Sequence, residues 1–186
     1  MNPLFTVHAG ELIVGSKIER DLRGVNVWVP AKDTGIDLLL SNNDNSRTIS
    51  LQVKLSRDYL VSNNKKDAVF HEGLRACGWW TLNREKIKNS RAQYWVFVLL
   101  GFANRTRDFI IIRPDILLKR LDNVHGKKAK TFQSYLWVTQ KEKCYETRGL
   151  NREDETLVAQ HKFKNDVRDF SAYLNDWTPI RKALVH

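Results

Sequence analysis

Asp37, Gln52 and Lys54 have the types and spacing for chemistry on a phosphate. Asp37 interrupts the apolar run Gly35-Ile36-Asp37-Leu38-Leu39-Leu40, where a carboxylate is costly unless it is paired or binds a metal. Gln52 and Lys54 belong to residues 48–55, TISLQVKL, whose strict alternation of apolar and polar residues marks a half-buried strand. Residues two apart on a strand point to the same side, so Gln52 and Lys54 project together. Between the two runs lies SNNDNSR, dense in turn formers. The pair therefore predicts a hairpin that sets Asp37 beside Gln52 and Lys54. A carboxylate, an amide oxygen and an ammonium would converge there. Mg²⁺ takes oxygen ligands of this kind and keeps several waters, and a lysine beside it would orient or help deprotonate one. Metal plus positioned water is the chemistry of phosphodiester hydrolysis. Taken singly, each residue has a plainer reading. A polar-x-Lys on a wet strand face is common, and Asp37 could be a strand-start acid paired with Lys32 or Arg47.

These residues need a scaffold. A helix is expected over 9–22, with Leu12, Ile18 and Leu22 sharing a buried stripe and Gly24 as the stop. Strands are expected at 25–30, closed by Pro30, and at 35–40 and 48–55. A basic stretch, irregular or helical, follows through Ser90. The nearly continuous apolar run 93–102, QYWVFVLLGF, predicts a central strand, with 108–114 as its hairpin partner through ANRTR. A short helix over 114–124, a late strand over 132–139 and a helical region over 153–184, broken near Pro179, complete the chain. The fold class is α/β: a central sheet flanked by helices. No repeat, linker or low-complexity segment divides the 186 residues, so a single domain is expected.

Thirty-one Lys and Arg against twenty-one Asp and Glu give +10 and a pI near 9.7, which favours a polyanionic partner. The cations recur in short groups: Lys65-Lys66; Arg84, Lys86, Lys88 and Arg91; Lys119-Arg120; Lys127, Lys128 and Lys130. That spacing describes one side of a folded surface rather than a basic tail. Arg84 and Lys86, near Trp79-Trp80, would grip a backbone while an indole stacks on a base. The segment HGKKAKTFQSY reads as a second DNA-contacting loop, with Lys127, Lys128 and Lys130 on phosphates and Gln133 or Ser134 on a base edge. Core packing is the plainer reading for the tryptophans, and solubility for the lysines. No apolar run approaches the ~20 residues of a membrane span. MNPLFTVHAGELIVG lacks a signal-peptide pattern. Cys77 and Cys144 form no C-x-x-C, so reduced thiols and a cytoplasmic setting are expected.

The pattern Asp37…Gln52-Val53-Lys54 resembles the active-site signature of the PD-(D/E)XK nuclease superfamily, the restriction-endonuclease-like fold. The likeness extends upstream: Gly10-Glu11 opens a helix that is followed by Gly24 and VNVWVP, so it covers about the first third of the chain. It departs in having Ile36 before Asp37 and Gln52 where Asp or Glu is usual. The resemblance implies Asp37 as the main metal carboxylate, Gln52 and the Val53 carbonyl as further ligands, and Glu11 as a second acid, direct or through water. Lys54 would hold the attacking water and steady the phosphorane charge. The cofactor would be Mg²⁺, with Mn²⁺ able to substitute. The implied activity is endonucleolytic cleavage of double-stranded DNA, in a restriction system, by a homodimer that cuts a palindromic site. The same core serves homing endonucleases, junction resolvases, repair nucleases and catalytically inactive DNA-binding relatives.

Overall fold

The hydrophobic spacing of the first helix decides which face meets the sheet. The computed structural model describes residues 3–31, 35–59, 68–101 and 105–185; Lys32, Lys65, Lys66 and most of the ANR part of the ANRTR turn lie outside the described residues. Helix α1 (Pro3–Asp21) buries Val14 and Ile18, with Leu22 just beyond its end. These positions are four apart and share one stripe. Leu12, expected in that stripe, is instead 70% exposed. It lies six residues from Ile18, at about 100° per residue, and so faces away. Gly24, at φ 77°, turns the chain out of the helix.

The chain then makes β1 (Val25–Trp28), β2 (Leu38–Asn42) and β3 (Thr48–Ser56), an antiparallel meander in which Val25 pairs with Asn42 and Leu38 with Leu51. After it come α2 (Ala68–Gly73), β4 (Leu74–Asn83) and α3 (Arg84–Lys88). The stretch expected to be irregular or helical thus contains a ten-residue strand. Strand β5 (Tyr94–Gly101) runs parallel to β3, and β6 (Thr106–Ile112) returns antiparallel to β5. The result is a five-stranded mixed sheet in the order β1-β2-β3-β5-β6. Helix α4 (Pro114–His125), β7 (Thr131–Thr139) and β8 (Cys144–Glu146) follow. β4, β7 and β8 form a second, antiparallel sheet. α5 (Arg152–Ala159), a 3-10 turn (Ser171–Tyr173) and α6 (Thr178–Val185) close the chain. The break expected near Pro179 falls earlier, between Ala159 and Thr178. Pro179 sits in the first turn of α6, where a missing N–H costs nothing. The architecture is mixed α/β, with six helices among the described residues. None of them is long and apolar enough to cross a membrane.

One face of the larger sheet packs on α1 and α6, through Val14, Ile18, Leu51, Val53, Val96 and Ile180. The other face meets the smaller sheet and α4, through Trp95, Phe97, Ile110, Trp80, Phe132 and Leu117. β5 is buried on both faces, which is why its sequence is nearly continuous apolar. A third cluster, including Phe70, Trp137 and Val158, joins α2 and α5 to the smaller sheet.

Helix α1 touches β3 at Gly10. A Cβ there would lie 3.0 Å from the Leu55 Cβ and 3.2 Å from the Val53 Cγ1. Gly10→Val should therefore push the helix off the strand and cost about 1–3 kcal/mol, read as a lowered midpoint in thermal unfolding; an unchanged midpoint would refute the close approach.

Candidate active-site cleft

Strand β3 presents Gln52 and Lys54 on the face away from α1, while Val53 is buried beneath them. Asp37 precedes β2 by one residue and is tied to β3 twice. Its amide donates to the Leu51 carbonyl at 2.8 Å, and its carboxylate Oδ2 accepts the Val53 N–H at 2.6 Å. The carboxylate is thereby fixed against the backbone between Gln52 and Lys54. The N–H and C=O of a strand residue serve the same edge, so the Val53 carbonyl is directed to the edge that carries Asp37. Arg47, weighed as an ion partner for Asp37, stands at the opposite end of the hairpin. The Lys54 Nζ lies 5.5 Å from the centroid of the Trp95 ring, within cation–π range.

Asp37, Gln52, Val53 and Lys54 line one cleft of about 910 Å³. Its far wall is the end of β4, from Trp80 to Asn83. Its side is α3 and the turn after it, with Glu85, Lys86, Asn89 and Arg91. The Asn83 side chain caps α3 by accepting the Lys86 N–H at 3.0 Å. Glu11 is half-buried on α1 and, among the described residues, is not one that lines the cleft.

The expected nucleic-acid contacts separate into two kinds. Lys86 is exposed in the cleft wall. Lys127, Lys128 and Lys130 are exposed in the turn between α4 and β7, which is tied to α3 because the Arg84 N–H donates to the Lys130 carbonyl at 3.0 Å. Gln133 is exposed on β7 opposite Thr81, itself a cleft residue. The FQSY part of the expected loop is strand rather than loop, and Ser134 is buried facing inward. Arg84 is a brace: its guanidinium pairs with the Asp122 carboxylate, donates from Nε to the Ala129 carbonyl at 2.6 Å and lies over the Phe132 ring. Glu85, Asn89 and Arg91 were not singled out as site residues. For Glu85 and Asn89 the sequence signal is the Asn-capped pattern NREKIKN, which predicts a short helix but not what it faces, and for Arg91 it is membership of the basic group that follows Trp80.

The oxygen donors at hand are the Asp37 carboxylate, the Gln52 amide and the Val53 carbonyl, with Glu85 in the same cleft. Among the described residues no three acidic, histidine or cysteine side chains gather into a metal cage. The donor set fits a hard cation held through one carboxylate and mostly by water, and fits no thiolate or imidazole metal. Compared with protein-family models, with curated proteins and with solved structures, the chain matches none.

Proposed function

We propose that the chain is a Mg²⁺-dependent endonuclease of double-stranded DNA with the restriction-endonuclease-like fold, acting as a homodimer in the manner of a type II restriction enzyme. The observation that carries this reading is the Asp37 carboxylate hydrogen-bonded to the backbone between Gln52 and Lys54, at the floor of a cleft rimmed by Lys86 and Arg91. The order of elements within the larger sheet agrees with it: a helix, a three-stranded antiparallel meander with Asp37 just before its second strand and Lys54 on its third, and, after α2, β4 and α3, a strand parallel to the third.

Asp37, Gln52 and the Val53 carbonyl would hold the cation. When bound, Mg²⁺ polarises a phosphoryl oxygen and lowers the pKa of a coordinated water. The Lys54 ammonium orients the attacking water and stabilises the negative charge that grows on phosphorus. The new bond is P–O from water, which gives up a proton to solvent; the broken one is P–O to the leaving sugar oxygen, which takes up a proton from solvent. Lys86 and Arg91 hold neighbouring phosphates without reading sequence. The contrary reading, a DNA-binding protein without catalysis, draws on the Gln52 amide in place of a carboxylate, and the same experiment decides it.

Plasmid incubated with the protein and Mg²⁺ should be cut, and EDTA should stop the cutting. Asp37→Asn and Lys54→Ala should each lower the rate by about 10²-fold or more. Cutting by neither wild type nor variants on any DNA, with binding retained, would leave only the non-catalytic reading. Gln52→Glu restores a second carboxylate, so the Mg²⁺ concentration for half-maximal cutting should fall; a rise would show that Gln52 is not at the metal. Lys86→Ala and Arg91→Ala should each reduce the slope of log affinity against log salt by about 0.9, measured by anisotropy in EDTA, and an unchanged slope would move the DNA off this wall.

A further inference from the structure

The Lys54 ammonium rests against a ring that is itself held at its edge. Strand β5 runs parallel to β3 with Trp95 beside Gln52, and Gln52, Lys54 and Trp95 all line the cleft. Trp95 is 2% exposed. The Lys54 Nζ lies 5.5 Å from its ring centroid, where a ring face attracts a cation. A lysine head sits on a flexible four-carbon stem, and a ring face against that head narrows the positions it takes before any phosphate arrives.

The indole is oriented as well as buried. The Trp95 Nε1–H donates to the Ser90 hydroxyl at 2.8 Å, and that hydroxyl also accepts the Ala92 N–H at 3.2 Å. Trp80 and Trp177 are buried too, yet their indole N–H groups have no hydrogen-bond partner among the described residues. Those two fill space; Trp95 is fixed at its edge. The turn that carries Ser90 is pinned to β3. The Ser50 N–H donates to the Gln93 side-chain oxygen at 3.0 Å, and the Gln93 N–H donates to the Ser50 carbonyl at 2.9 Å. The contacts therefore close a circuit: β3 holds the turn, the serine of the turn holds the indole, and the indole faces the lysine of β3. Arg91, on the same turn, lines the cleft, so two of its cations depend on one frame.

We propose that Trp95 is a positioning residue for Lys54: its ring face holds the ammonium in the cleft where the phosphate is attacked, and Ser90 sets the ring. The proposal rests on reading the cleft as a phosphodiester site, and it adds a residue that acts through the lysine rather than on the substrate. An ammonium already in place need not be ordered while charge grows on phosphorus, which is how preorganised charge speeds a reaction.

The test uses the full chain, isotope-labelled at lysine and read by NMR, together with its cutting rate on plasmid in Mg²⁺. A methylene over an indole face is shielded. The Lys54 ε-CH₂ signal, identified by its loss in Lys54→Arg, should therefore lie upfield of the common lysine position. Trp95→Leu should return it to that position, and Ser90→Ala should move it part of the way. Trp95→Leu should also lower the cutting rate at saturating DNA about tenfold, and Trp95→Phe, which keeps a ring face, should recover most of that loss. In the Lys54→Ala background Trp95→Leu should change the residual rate by no more than about twofold, because the two substitutions remove one interaction. A tryptophan that served packing alone would lower the rate in both backgrounds. Where Trp95→Leu fails to fold, the wild-type and Ser90→Ala spectra decide. A wild-type Lys54 signal at the common position, or equal loss of rate in both backgrounds, would overturn the proposal. Metal-dependent cutting with an unshifted Lys54 signal keeps the nuclease and removes the role of Trp95. A shifted, Trp95-dependent signal without metal-dependent cutting keeps the ring–ammonium contact and removes the enzyme.

Discussion

Strand β3 is gripped on three sides, and the fourth is the floor of the cleft. β2 pairs with one edge and β5 with the other, and α1 covers one face, close enough at Gly10 that only hydrogen fits easily. Side chains alternate along a strand, so a slip of one residue would drive Gln52 and Lys54 into the α1 core and expose Val53 and Leu55 to the cleft. Burial of Leu51 and Val53 among Val14, Val96 and Val98 forbids that slip. The polar pair thus owes its position to the apolar residues between its members. Asp37 adds a lock from the neighbouring strand, because its amide and its carboxylate both bind β3. Side chains mounted this way on paired strands are held more closely than they would be on loops.

The cleft exists because the two sheets meet at one end of β4 and part at the other. Near its start, the Arg75 guanidinium pairs with the buried Asp108 carboxylate of β6, which also accepts from the Asn175 amide at 2.9 Å. Burial alone would lower the pKa of Arg75, but Asp108 and then Glu142 raise it, and the net direction is upward. Gly101 at the end of β5 approaches the Arg75 carbonyl so closely that a Cβ would sit 2.2 Å from it. The Cys77 and Trp79 backbones are then bonded to Asp58, Tyr59 and Ser56. Beyond Trp79 these ties to the continuation of β3 end, and Trp80 to Asn83 form a wall instead. The Arg84–Asp122 pair braces the wide end by joining α3 to α4. The Arg75–Asp108 pair thus ties β4 of the smaller sheet to β6 of the larger one, beside the apolar core that joins the two sheets.

The parts legible in the sequence were those with an unbroken period. The β2–β3 hairpin, the apolar β5, the β6 partner and the Pro-initiated α4 follow from alternation, continuous burial or a start signal. β4 was hidden because Cys77, Gly78 and two adjacent tryptophans blur its alternation. Over its second half, though, buried Trp80 and Leu82 do alternate with exposed Trp79, Thr81 and Asn83. Arg84 shows a different limit. In sequence it is one cation in a basic group with Lys86 and Lys88, yet its charge is engaged by an aspartate 38 residues away. Composition counts cations but does not reveal which are already paired. Glu85, Asn89 and Arg91 join the cleft through the tertiary placement of α3 and of the turn after it, where the Arg91 carbonyl accepts from the Ser50 hydroxyl of β3 at 3.3 Å, and no local pattern encodes that.

The charges lining the cleft constrain how any cation would be held there. Lys54, Lys86 and Arg91 face Asp37 and Glu85, three positive groups against two negative. A glutamate at position 52 would have balanced the count; glutamine leaves the cleft cationic. A cationic cleft attracts a phosphate strongly and a bare divalent ion weakly. Mg²⁺ is commonly held by one or two carboxylates together with the oxygens of a bound phosphate. On the nuclease reading, the strand itself then supplies the negative charge that the side chains lack, so metal and DNA enter cooperatively and the protein alone binds little Mg²⁺. The same Gln52 that weakens the case for a preformed metal centre is therefore compatible with a site completed by its substrate.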